Sequence, residues 1–306
     1  MVAPAATVTV PVQTRPWREV FGSPWPAPRI GSIALAAIAF VLLFAGPIQV
    51  LGKEWWTNPD AGHGLLLFPV SLWLAWSAGL RVAARPNVLL GALIIIAAVL
   101  LRAIGGLAAE FFTQRFAIWL TLVGIVTYVW GFRQVLHWWL PFSLLVLSIP
   151  LPATITNSLA VPLQFQASKL GTSLIEWRGI PVRTMGNVIQ IPGQTLFVAE
   201  ACSGLRSLTA LIALGVMIGG IWLRTVPARL LVLAIAIPVA IIVNGFRIFL
   251  TAFLMHFVSP ELGTGFMHTS EGWAMFVLAF GVIGAIAAVI RFGETRFLRW
   301  RGVADA

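Results

Sequence analysis

Cysteine is almost absent from this 306-residue sequence, and Cys202 is its single thiol. A lone cysteine excludes an internal disulfide and a thiolate metal cluster. Charge is scarce as well: Asp, Glu, Lys and Arg together make up 10% of the chain, against about 25% in soluble domains. With 59% hydrophobic residues, that scarcity excludes an ordinary soluble domain and points to an all-α polytopic membrane protein. Also missing are a Gly-rich phosphate loop, a nucleotide motif, metal-ligand spacings, an internal repeat and a second soluble domain. The expected cofactor and metal are therefore none. Residues 1–29 carry prolines and no apolar core, which reads as a disordered lead-in and not a cleavable signal.

What is present is long hydrophobic runs. Eight stretches reach the ~17–25 residues a helix needs to cross a bilayer: 31–51, 63–80, 87–103, 116–132, 136–152, 203–223, 230–257 and 272–290. Prolines bracket and shorten the fifth. Short cytoplasmic loops are enriched in Lys and Arg. One assignment gathers twelve arginines on a single side: Arg15, Arg18, Arg29, Arg81, Arg85, Arg133, Arg224, Arg229, Arg291, Arg296, Arg299 and Arg301. Lys53, Arg102, Arg115, Lys169, Arg178 and Arg183 fall on the other. Both termini are then expected in the cytoplasm. The net charge of +10 reflects that topology and an affinity for anionic lipid headgroups, not nucleic acid.

The expected organisation is a cytoplasmic lead-in over 1–29, an integral membrane domain over 30–292 and a basic cytoplasmic tail over 293–306. One extracytoplasmic insert is long, about 153–202. In its first part Leu163, Ala167, Leu170, Leu174 and Trp177 recur at helical spacing, as in an amphipathic helix lying at the interface. In its second part β-favouring runs flank Pro192-Gly193, which predicts a short β-hairpin before Cys202.

Two arginines lie within apolar segments, where each charge costs about 3 kcal/mol. Arg206 follows Cys202 by one helical turn. Arg247 stands 18 residues beyond Arg229, a rise of about 27 Å, which sets it near the outer edge of the hydrocarbon. His268 precedes the eighth span on the same side. A thiol, a guanidinium and an imidazole from three separate segments thus arrive at one leaflet. Asn244, one turn before Arg247, supplies an acceptor for an internal polar network. The blander readings are a small buried thiol at Cys202, a snorkelling Arg247, a solvated His268, and Glu200 and Glu271 solvated or paired with arginines. His137 and His256 read as interfacial.

VAEACSGLRSL, followed by VNGFRIFLTAF and then HTSEGW, resembles the exosortase/archaeosortase family of membrane-embedded cysteine transpeptidases. IPLP at 149–152, the PGQTL hairpin and the early NPDAGHGLL have family counterparts too, so the likeness covers roughly residues 52–290. The resemblance implies Cys202 as nucleophile, Arg247 as essential arginine and His268 as third catalytic member. His268 places the chain on the exosortase side, since archaeal relatives carry arginine there. The early motif departs from the family, which has tyrosine and serine before His-Gly where this chain has Ala61-Gly62. His63 is accordingly an accessory residue. Ser203, Gly204, Arg206, Asn244, Glu200 and Glu271 complete the accessory set.

The resemblance also implies a place in the bacterial inner membrane with the active site facing the periplasm. The implied partners are membrane-tethered substrates with a C-terminal PEP-CTERM-like signal and an exopolysaccharide machinery. Two other functions compete. A transporter would use Arg206, Arg247 and Asn244 as an anion site between helices. A scaffold of an exopolysaccharide export complex would use no reactive side chain.

Overall fold

The structure, a computed structural model, describes residues 13–17, 27–58, 61–82, 84–185, 188–197, 204–263 and 265–302. The chain divides into two units, Met1–Thr57 with Gly64–Ile149, and Asn58–His63 with Pro150–Ala306.

The first unit holds α1 (Ala27–Thr57), α2 (Gly64–Ala78), α3 (Val88–Leu107), α4 (Phe111–Trp130), α5 (Phe132–His137) and α6 (Trp139–Leu147). Glycines bring α3 and α4 into backbone contact. A Cβ added at Gly91 would lie 2.5 Å from the Tyr128 Cα, and one at Gly105 would lie 3.1 Å from the Gln114 nitrogen. Small residues permit this approach where burial of apolar surface supplies no drive between helices. Glu110 caps α4, its carboxylate accepting from the Phe112 and Thr113 amides. Burial opposes ionisation of that carboxyl, but the hydrogen bonds from Thr113 and Phe112 and the charge of Arg115 hold it below the usual range.

The expected fifth span is broken. α5 and α6 are 6 and 9 residues long and meet at Trp138. The break is held by side chains: the Trp138 indole and the Gln134 amide both donate to the Gly79 carbonyl, and Gln134 Oε1 accepts from the Arg81 amide. The lead-in also departs from expectation. β1 (Thr14–Arg15) pairs antiparallel with β2 (Leu80–Arg81). Trp17 then stacks on Trp76 and Trp138, with ring centroids 5.7 Å apart in each pair. Residues 13–17 are therefore part of the fold, because aromatic stacking and a backbone ladder offset the ordering entropy.

The second unit holds α7 (Ala153–Trp177), β3 (Arg183–Met185), β4 (Val188–Ile191), β5 (Gln194–Phe197), α8 (Gly204–Trp222), α9 (Val226–Phe257), a 3₁₀ turn (Pro260–Gly263) and α10 (Gly265–Trp300). The single expected hairpin is a three-stranded antiparallel sheet in the order β3-β4-β5. Pro192 and Gly193 form its second turn. Gly193 has φ +78°, the left-handed value that a Pro-Gly type II turn requires.

The apolar face expected on α7 packs on α9, with Ala167 and Ile175 in one core with Ile248, Ala252 and the sheet residues Ile189, Ile191 and Leu196. Trp177 departs from that face and is 78% exposed. A second core joins α8, α9 and α10 through Leu211, Leu214, Val232, Ala236, Ala279 and Ile283.

Both units are built of apolar helices, as a polytopic membrane protein requires. Ala36–Thr57 in α1, α3, α4, α9 and Ala274–Trp300 in α10 are long and apolar enough to cross a bilayer, and α2 and Thr209–Trp222 in α8 are shorter apolar segments. Helices occupy most of each of the eight expected stretches, but the fifth is divided at Trp138 and its last five residues, 148–152, are not helical.

Candidate active site

The polar residues of α9 lie on one stripe. Asn244, Arg247 and Thr251 recur at i, i+3 and i+7, so they share a helix face. Their exposures are 8%, 7% and 1%. The neighbouring stripe of Gly245, Ile248 and Ala252 turns toward α7. A Cβ at Gly245 would come within 3.0 Å of the Ala167 carbonyl oxygen, and one at Gly171 within 2.8 Å of the Ile248 Cβ. Two glycines thus let α7 press directly on α9, and that contact fixes how the polar stripe is turned.

Two glycines of α8 face α9 and mark how the helices are registered. A Cβ at Gly219 would lie 3.6 Å from the Arg229 Cα, and one at Gly215 would lie 3.5 Å from the Ala236 Cβ. Extending this antiparallel register by three turns brings Arg247 level with Gly204, the first residue of α8.

α10 is tied to α9 at the opposite end. The buried Glu294 carboxylate accepts hydrogen bonds from the Arg224 and Thr225 amides and from the Thr225 hydroxyl. It thereby caps the N-terminus of α9, where four backbone N–H groups lack intrahelical partners. Twenty-two residues on from Thr225 is Arg247, and the same count back from Glu294 is Gly272. Twenty-six residues on from Thr225 is Thr251, and the same count back from Glu294 is His268. Each of these is a rise of about 33 to 39 Å along the helix.

Of the residues expected to act, Asn244 and Arg247 are described in full, and they are brought onto one buried stripe. Gly204 opens α8. Arg206, His268 and Glu271 lie on described helix backbone in α8 and α10. Cys202, Ser203 and Glu200 lie outside the described residues. His63 sits in the turn after Asn58, with the Ala61 amide donating to the Asn58 carbonyl at 3.0 Å. That six-residue segment belongs to the second unit, although both helices flanking it belong to the first. His137 and His256 behave blandly. A ring nitrogen of His137 lies 3.1 Å from the Ala78 carbonyl, and His256 packs edge-on against Phe257.

Sequence reasoning passed over Thr251, Ser168, Thr172 and Gln194. Thr251, Ser168 and Thr172 are buried polar groups of this unit, and Gln194 is half-buried. The first was legible from its i+7 spacing to Asn244. Gln194 joins sheet to helix by donating from its side-chain amide to the Met255 carbonyl at 3.0 Å. That bond spans 61 residues and leaves no local signal.

Comparison with known proteins agrees with the motifs. The family model described as transmembrane exosortase matches residues 55–285, most of the chain. Neither the curated proteins nor the solved structures give a match.

Proposed function

The chain belongs to the transmembrane exosortase family, and on that premise we propose that it is a membrane cysteine transpeptidase with Cys202 as nucleophile. The observation that supports this reading is the buried guanidinium of Arg247, on a buried polar stripe of α9 within the region that the family model matches. A charge within apolar helices costs about 3 kcal/mol, and for that reason such a residue marks a functional site.

A free cysteine is only a few per cent thiolate at neutral pH. The N-terminal end of α8 and the cations Arg247 and Arg206 stabilise the ionised form. The thiolate attacks the scissile carbonyl carbon, forming a C–S bond and an oxyanion. Arg247 and the amides of Ser203 and Gly204 hold that oxyanion. The tetrahedral centre collapses, the C–N bond breaks, and the leaving nitrogen takes a proton from His268. A second nucleophile then attacks the thioester and transfers or releases the protein. Asn244 orients Arg247, while Glu200, Glu271 and His63 are accessory.

The substrates are exported proteins tethered by a C-terminal PEP-CTERM-like signal. The site faces the periplasm from the inner membrane, with both termini cytoplasmic, alongside an exopolysaccharide system. The test is cleavage of a reporter carrying such a signal, co-expressed with the full chain. Cys202→Ala abolishes cleavage, Arg247→Ala lowers it about 10³-fold and His268→Ala about 10²-fold or more. No reporter cleavage by the wild-type chain, with anion uptake kept in Cys202→Ala and lost in Arg247→Ala, would instead indicate an anion transporter.

A further inference from the structure

The small sheet carries an unused resource at its edge. The Ile191–Gln194 pair closes a two-residue turn, and hydrogen-bonded and non-bonded pairs alternate from there along β4 and β5. Gln194 and Leu196 therefore direct their backbone N–H and C=O groups into the ladder with β4. Thr195 and Phe197 direct theirs outward. β5 is the last strand of the sheet. Among the described residues no backbone group pairs with the outward N–H or C=O of Thr195, and Thr195 is exposed.

This edge is held rigidly. Ile189, Ile191 and Leu196 pack into the core that includes Ile248 and Ala252 of α9, and the Gln194 side chain is bonded to the Met255 carbonyl. The opposite face, with Gln190 and Thr195, is exposed. The strand is thus anchored to the helix that carries Arg247, and it ends five residues before Cys202 in sequence. An open, anchored strand edge is the element to which an extended peptide adds by main-chain hydrogen bonds.

We propose that the outer edge of β5 is the docking strand for the substrate polypeptide, which joins the sheet as a fourth strand and so brings its scissile bond toward Cys202. The proposal rests on the transpeptidase reading. It identifies the ligand as an extended peptide recognised through its backbone, with Thr195 and Phe197 as the pairing positions. Thr195 is a positioning residue here, acting through its amide and not its hydroxyl.

The test uses the full chain in membranes with the signal-bearing reporter. Thr195→Pro deletes the outward N–H while leaving the β4 ladder intact, as proline at an outward edge position does. Loss of one hydrogen bond plus obstruction by the ring is expected to lower kcat/KM about tenfold, with Cys202 still alkylated at the wild-type rate. Thr195→Val, which keeps the amide, should cleave as wild type. Thr184→Pro makes the same backbone change on the opposite edge, at β3, and also removes the hydroxyl that meets Thr172, so it is compared with Thr184→Val; both should leave cleavage intact. A synthetic peptide of the reporter's recognition segment, N-methylated one residue at a time, should lose inhibition at alternate positions.

Wild-type cleavage by Thr195→Pro, equal loss in Thr184→Pro, or no period of two in the methylation scan would overturn the proposal. Cleavage that persists in Cys202→Ala has a different signature: it overturns the transpeptidase reading first, and this one with it.

Discussion

The two units use buried polar groups in opposite ways. In the first, such groups close on one another across the fold. Arg115 pairs with Glu54, the Gln114 amide donates to the Gly105 carbonyl, and the Trp119 indole donates to the Phe142 carbonyl. In the second, beside the ties that Glu294 and Gln194 make, polar residues are strung along α9 as Asn244, Arg247 and Thr251 on one buried stripe. Polar burial in the first unit holds helices together. In the second it sits where the chemistry is proposed, so the same residue type carries different consequences when removed.

The sharpest contrast is between two buried arginines. Arg115→Met leaves Glu54 without its cation and should lower the stability of the detergent-solubilised protein by about 2 kcal/mol. Folded Arg115→Met molecules should still turn over at nearly the normal rate. Arg247→Gln should do the reverse, with turnover down about 10³-fold and the thermal midpoint unchanged or raised, as is usual when a functional strain is removed. Parallel melting and cleavage assays on the two variants check this. Equal melting losses would erase the distinction between the units.

A smaller effect is expected at the α7–α9 contact. Gly171→Ala places a methyl 2.8 Å from the Ile248 Cβ and 3.0 Å from the Gly245 oxygen. The helices must separate, lowering stability by about 1 to 3 kcal/mol. Cleavage should fall as well, since α7 sets the rotation of the α9 stripe. Melting and cleavage assays on Gly171→Ala check both losses.

The smallest effect is expected at Glu110 in the first unit. Its carboxyl is held below the usual range in the folded protein, so its contribution to stability is present above the ordinary carboxylate pKa. That contribution disappears as pH falls through the folded value. A pH series of melting midpoints should show an acid limb that Glu110→Gln flattens. An unchanged limb in Glu110→Gln would place the acid sensitivity elsewhere.

Much of this was legible from local pattern. Apolar runs of bilayer length gave the long helices other than α7, because the length needed to cross hydrocarbon is set by the membrane and not by tertiary contacts. The motifs VAEACSGLRSL, VNGFRIFLTAF and HTSEGW were legible as family signatures, and the family model matches the region that holds them. What escaped was non-local. Nothing near Trp138 signals that its indole bonds a carbonyl 59 residues away and so divides the fifth span. Nothing in a Pro-rich lead-in signals that Trp17 fits between Trp76 and Trp138. The third strand, Arg183–Met185, is three residues long and acquires its register only from β4. Gly171 and Gly245 carry no signal in sequence that each lies against the other's helix.

The carboxylate of Glu294 has a mechanical consequence. It fastens α10 to the first turn of α9 and leaves the far ends of the two helices, with Arg247 and His268, joined by a short turn at Pro260–Gly263. A pair of rods pinned at one end behaves as a lever. With about 33 Å between pin and site, a tilt of about 5° moves the tip by about 3 Å. Because the turn at Pro260–Gly263 also ties the far ends, such a tilt carries the two tips together as one hairpin instead of parting them.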